Sequence, residues 1–277
     1  MEHFRADDGE TLHLKISGSG SPLVLLHGWT ASHAEWFPYL VEFNKHHTVY
    51  RWDARGHGGH ALATAAVPTV ARMARDLANL LAHYDLRDVC AVGHSMGALT
   101  LWQYIRDFGC DRLGRICLID QSPKLVTDDD WQHGIYGDFD VERARGFESQ
   151  LQDDFAEAVL RLGAHGLNLR ARQKYEENAK GWEKSRAWLR QLDAKPLIAC
   201  WRSLTEADYR LVLNEITIPA LLIYGGESNF YHASTAYYVR DNIPNALLHI
   251  YEGTDHSPHQ WQRERFTRDL LAFAAAT

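Results

Sequence analysis

Gly93-His94-Ser95-Met96-Gly97 stands between an apolar run at residues 89–92 and a helical pattern at 96–108, and its reading decides the fold. Strand, tight turn and helix form the context in which a G-x-S-x-G pattern carries meaning. A side chain lifted on so sharp a bend needs small neighbours, and glycines flank Ser95 two residues away on either side. The bend raises the hydroxyl out of the sheet, and the helix N-terminus behind it favours negative charge.

Outward from this turn, short apolar runs alternate with helical patterns. Residues 23–26 read as a strand ending at His27-Gly28, and 48–52 as a strand ending at Asp53. Between them 32–43 reads as a helix with Ser32 as N-cap. Val70, Met73, Leu77, Leu80 and Leu81 make one stripe at helical spacing, and 116–119 is a strand ending at Asp120. Ahead of all these, a turn at Asp8-Gly9 suggests an early hairpin. Buried strands alternating with helices predict a mostly parallel α/β sheet with helices on both faces. From about 124 to 213 only helical periodicity remains, and strands resume at 220–224 and 246–250, followed by a last helix over 258–275. The expected organisation is an α/β core, 1–123 and 214–277, interrupted by a helical cap, 124–213, between the sixth and seventh main strands.

A serine hydroxyl is a poor nucleophile until a base takes its proton. His256 is the candidate base, because Gly253-Thr254-Asp255-His256-Ser257-Pro258 follows the last strand and should lie at the same sheet edge as Ser95. A tetrahedral intermediate needs preformed N–H donors. The backbone amides of Met96, directly after the serine, and Trp29, directly after His27-Gly28, are the expected pair.

His27-Gly28-Trp29, Asp53-Ala54-Arg55-Gly56-His57-Gly58, Gly93-His94-Ser95-Met96-Gly97 and Thr254-Asp255-His256-Ser257-Pro258 together resemble the α/β-hydrolase fold superfamily, in its serine-nucleophile, esterase-like form with a helical cap. The resemblance implies an eight-stranded sheet and makes 53–58 a structural turn. It also implies a carboxylate partner for His256, usually an Asp after the seventh strand, but here that slot holds Asn229. Asp120, at the end of the sixth strand, is the favoured substitute, as some relatives take the acid from there. Glu227, two residues ahead of the slot, and an Asn229-led arrangement are the alternatives.

The expected chemistry is cleavage of a carboxylic ester, or a close acyl relative, through an acyl-enzyme on Ser95. Thioesterase and acyltransferase activities use the same groups, with lactonase, C–C hydrolase and perhydrolase action as further variants. A small-molecule binding protein on a hydrolase scaffold is the rival from another class. Serine at the turn disfavours epoxide opening and dehalogenation, for which relatives carry Asp. Four of nine Trp residues lie in the cap, which suggests an apolar acyl pocket with Trp29, Met96, Trp131 and Phe230 as its first contacts.

The bulk properties agree with a small-molecule enzyme. A formal net charge of -7 offers no footprint for nucleic acid or anionic membrane. No apolar run approaches the ~18 residues of a membrane span. Residues 1–8 have neither the basic start nor the apolar core of a secretory leader, and the four cysteines form no C-x-x-C pair, so cytoplasmic residence is expected. Sixteen histidines include no H-E-x-x-H or Cys/His ligand spacing, and the reaction needs no metal or organic cofactor.

Overall fold

The computed structural model describes residues 2–275. Eight strands form one sheet: β1 Glu2–Arg5, β2 Thr11–Gly18, β3 Ser21–Leu26, β4 His47–Asp53, β5 Val89–His94, β6 Leu113–Ile119, β7 Ala220–Gly225 and β8 Ala246–Tyr251. Their order is β1-β2-β4-β3-β5-β6-β7-β8. The β1–β2 hairpin and the β2–β4 pair are antiparallel, and every later pairing is parallel.

Alternation along the strands divides the core in two. Leu23, Leu25, Cys90, Val92, Leu221 and Ile223 face one side, where Trp36, Tyr39, Phe43, Phe266 and Leu270 cover them. Val24, Leu26, Ala91, Leu118 and Leu222 face the other, against Met73, Leu77, Trp102 and residues of the 124–213 segment. A strand covered on both faces must be apolar throughout, hence the unbroken runs in the sequence. Each fully buried Leu or Ile contributes roughly 1.5–3 kcal/mol relative to exposure.

Two elements depart from expectation. Residues 32–43 do not form one α-helix: a 3-10 turn, His33–Tyr39, holds Pro38, and only Leu40–Phe43 is α-helical. Proline has no N–H to offer the ladder, so the coil is irregular around it, although Ser32 does cap it by accepting from the Ala34 amide. The last helix is also broken, into Pro258–Trp261 and Arg263–Ala275, with Gln262 at φ -113° and ψ 59° between them. Between β6 and β7 lie the helices Val141–Asp153, Phe155–Ala164, Leu169–Glu176, Lys180–Leu189 and Ala194–Glu206. Among the described residues no helix is long and apolar enough to cross a membrane.

Candidate active site

Ser95 joins β5 to the helix Met96–Phe108 at φ 52° and ψ -113°. That region is sparsely populated for a side-chain-bearing residue and costs roughly 1–3 kcal/mol. The strain persists because the two backbones around it are locked together. A Cβ on Gly93 would sit 2.4 Å from the Gly97 carbonyl carbon, and one on Gly97 would sit 2.3 Å from the Leu26 oxygen. The Ser95 amide also donates to the Ile119 carbonyl at 3.1 Å.

Asp120 follows β6 directly and is fully buried, with φ 46°. Burial of a carboxylate demands donors, and three surround it. Gly225 N–H donates to Oδ1 at 3.0 Å, Ser228 Oγ donates to Oδ2 at 2.7 Å, and His256 Nδ1 lies 2.6 Å from Oδ2. Glu227 turns outward instead, pairing with Arg170 on the surface. Asn229 occupies the turn after β7 without reaching the imidazole nitrogen. Its Oδ1 accepts the His256 amide at 3.2 Å, and its Nδ2 donates to the Gly163 carbonyl at 2.7 Å. The structure therefore brings Asp120, of the three candidates, onto the ring of His256.

Ser95 and His256 border one cavity of about 460 Å³. Trp29 and Phe230 line it, as do Val159, Leu162, Trp188, Trp201 and Leu204 from the segment between β6 and β7. Phe230 stands edge-on to His256, with ring centroids 4.5 Å apart. Two Trp residues stitch that segment to the loop after β3: Trp29 Nε1 donates to the Leu197 carbonyl at 3.0 Å and Trp188 Nε1 to the Thr30 carbonyl at 2.9 Å. Trp131, expected as a pocket contact, lies elsewhere. Its Nε1 bonds the Lys124 carbonyl at 2.9 Å, and its ring is buried against Tyr238 and under Arg210. Nearness in sequence to the end of β6 misled because the chain turns back on itself there, at the bridge between Asp128 and Trp131. The Met96 side chain also points into the interior, toward Cys200 Sγ.

The remaining histidines separate by environment. His27 Nε2 accepts the Ala54 amide at 3.0 Å while Nδ1 donates to the Gly28 carbonyl at 2.8 Å, so the β3 loop is tied to the 53–58 turn. His57 is buried, and desolvation pushes its pKa down to about 3. Arg55, with no exposed side-chain surface, is paired with Asp76 and Asp8. These are structural contacts.

Sequence reasoning missed Glu35 and His259. Glu35, His94 and His259 bring one ligand-type atom each to within 4.8 Å of one another, in the cavity wall behind Ser95. A lone Glu in a Ser-His-Ala-Glu stretch gave no sign of partners 59 and 224 residues away. Burial alone would raise the Glu35 carboxyl, yet the charge of His94 and the close contacts of both histidines hold it well below the ordinary range. His94 is pushed down by burial, but the Glu35 carboxylate more than reverses that and raises it.

Comparison with known proteins places this geometry in context. A family model described as the alpha/beta hydrolase fold matches residues 21–262. A non-heme haloperoxidase of Rhodococcus erythropolis is 28% identical over 283 residues, covering 99% of both chains. A pimeloyl-[acyl-carrier protein] methyl ester esterase of Vibrio vulnificus is 26% identical over 263 residues, covering 95% of this chain and 98% of its own. Among solved structures, an esterase from Exiguobacterium antarcticum superposes with a TM-score of 0.84 at 20% identity, covering 99% of each chain.

Proposed function

The chain belongs to the α/β-hydrolase fold family, and from that premise we propose that it is a serine hydrolase cleaving a carboxylic ester, or a close acyl derivative, through an acyl-enzyme on Ser95. In this reading the Ser95 hydroxyl attacks the carbonyl carbon as His256 takes its proton. The backbone amides of Trp29 and Met96 receive the oxyanion, and His256 then protonates the departing alcohol. Water, deprotonated by the same imidazole, releases the acid. Asp120 holds Nδ1 protonated so that Nε2 is free to accept. The segment 124–213 acts as a lid, and its apolar lining suits a medium acyl or aromatic group.

The observation that carries the reading is the pairing of a buried carboxylate with His256 Nδ1 at 2.6 Å, beside the cavity that Ser95 also borders. Relatives named as esterases support the reaction class. A fluorophosphonate probe tests it: wild type should be labelled and Ser95→Ala should not. Labelling that survives in Ser95→Ala rules the reading out. A panel of p-nitrophenyl esters from acetate to decanoate tests the pocket, and strong preference for acetate would exclude the medium acyl group.

A second reading follows from the relatives named as haloperoxidases. Hydrogen peroxide in place of water at the acyl-enzyme would release a peracid and regenerate the Ser95 hydroxyl, with one acyl–oxygen bond formed and one broken. Halide oxidation that requires both peroxide and a carboxylic acid, and that is lost in Ser95→Ala, would identify it.

A further inference from the structure

One carboxylate in the cavity wall has no part in the reaction just described. Glu35 lies on the His33–Tyr39 turn with its side chain 8% exposed, and three separate elements converge on it. Its Oε2 accepts the Gly28 amide at 3.0 Å. Its Oε1 lies 3.0 Å from His259 Nε2 and 2.8 Å from His94 Nδ1. His94 immediately precedes Ser95, and its other ring nitrogen, Nε2, lies 3.0 Å from the backbone oxygen of His256.

The tautomer of His94 follows from these contacts. A carbonyl oxygen only accepts, so Nε2 must carry hydrogen. Nδ1 then faces a carboxylate oxygen at 2.8 Å. Two lone pairs at that separation in a buried site repel, so a proton or a metal ion must lie between them, and the Glu35 carboxyl, held well below the ordinary range, leaves a proton to the histidine. A proton on Nδ1 meets the need and makes His94 an imidazolium with Glu35 as counter-ion. The approach is bent away from good hydrogen-bond alignment, so charge supplies most of the attraction. His259 can stay neutral, with its one N–H on Nε2 directed at the same oxygen; burial pushes its pKa down to about 4.

We propose that Glu35 is a positioning residue, which keeps a proton on His94 and thereby joins the Gly28–Trp29 loop, the Ser95 turn and the His256 loop in one ionic frame. The proposal rests on the serine-hydrolase reading above. Glu35 Oε2 pins the amide next to Trp29, one of the two oxyanion donors, while His94 pins the carbonyl of the proton carrier. The other titratable groups around the pair are His259, His256, Asp120, Tyr39 and His27. Glu35 is the one that contacts both His94 and the β3 loop. Losing its charge should loosen the site on both sides while leaving the acyl pocket intact.

The test pairs kinetics with ring-nitrogen NMR. Glu35→Gln keeps the volume and an acceptor for Gly28 but cannot hold the proton. It should lower kcat on a p-nitrophenyl ester by roughly 10- to 100-fold, with KM within about threefold of wild type. At about pH 7.5, where a free imidazole is mostly neutral, the His94 ring should show two N–H groups in wild type and one in Glu35→Gln. His94→Gln, whose amide can still reach the His256 carbonyl, should lose kcat to the same extent and serves if Glu35→Gln does not fold. A neutral His94 in wild type, or wild-type kcat in whichever of the two variants folds, overturns the proposal. So does stoichiometric zinc in the wild-type protein that Glu35→Gln loses, because a metal would then be the cation between the two groups. Ser95→Ala, assayed alongside, separates the failures: if it stays active the hydrolase reading falls, whereas the protonation state of His94 is read without any turnover.

Discussion

Replacing Asp120 by Asn puts the proposed proton path to a quantitative test. The carboxylate receives three donors, from Gly225, Ser228 and His256. An amide has one acceptor oxygen, so one of two orientations must win. With the oxygen toward His256 and Ser228, its NH2 meets the Gly225 N–H, and a buried unsatisfied donor costs roughly 1–3 kcal/mol. With the oxygen toward Gly225, the NH2 can donate to Ser228 Oγ, whose own hydrogen rotates away, and to a bare Nδ1 of His256. Gly225 and the imidazole are then both paired once the imidazole proton moves to Nε2, and the cost falls on the Ser228 hydroxyl, which loses its acceptor and already receives the Phe230 and Tyr231 amides. The second orientation wins, and it leaves His256 with a hydrogen where it must accept the one from Ser95. The variant should fold with stability within about 1–2 kcal/mol of wild type, yet lose roughly 10³–10⁴ in kcat, or about 4–5.5 kcal/mol of barrier. Turnover of a p-nitrophenyl ester gives the rate, and urea unfolding gives the stability. Turnover within about tenfold of wild type in a well-folded Asp120→Asn, with Glu227→Gln crippled instead, would refute the reasoning.

Asn229→Asp, which restores an acid to the usual slot, should not help: its carboxylate would face the Gly163 carbonyl now served by Nδ2, lowering stability by roughly 1–3 kcal/mol. Rescue of Asp120→Asn by adding Asn229→Asp would show the opposite. Trp188→Phe removes a half-exposed bond to the Thr30 carbonyl, worth roughly 0.5–1.5 kcal/mol, and should raise KM about 2- to 10-fold with kcat unchanged; a fall in kcat at constant KM would contradict it. The pKa of His57 is depressed to about 3 by burial, below an unfolded value near 6.5. The stability it contributes is therefore complete above about pH 6.5 and is lost as pH falls toward 3, by at most ~1.4 kcal/mol per unit. Urea midpoints should fall over that window, less steeply in His57→Gln; equal slopes would exclude His57 as a source.

The sheet was legible because its strands are short, doubly covered and therefore apolar throughout, as in Val24–Leu26 and Leu221–Ile223. The bend at Ser95 was legible because Gly93 and Gly97 have backbone where a Cβ would be. Asp120 could be nominated from its place at the end of β6, but its advantage over Glu227 lay in burial and donors, which spacing does not encode. Glu35 and His259 were invisible for the same reason: their meaning depends on contacts across more than fifty residues. Trp131 shows the converse, since a Trp close in sequence to a strand end can fold under a neighbouring helix instead of facing the cavity.

The turn after β7 has a task of its own once the carboxylate sits on β6. Asn229 receives the Leu167 amide on its backbone oxygen at 2.8 Å, Phe230 receives that of Tyr136 at 2.7 Å, and Asn168 Nδ2 donates to the Glu227 carbonyl at 2.7 Å. These bonds fasten the segment between β6 and β7 to the sheet, while the charge that would steady the imidazole stays on a separate strand. In the proposed reading, access and proton chemistry are nonetheless mechanically linked: the turn that tethers the segment also holds Asp120 through Ser228 and the His256 amide through Asn229, so a shift of the tether reaches both.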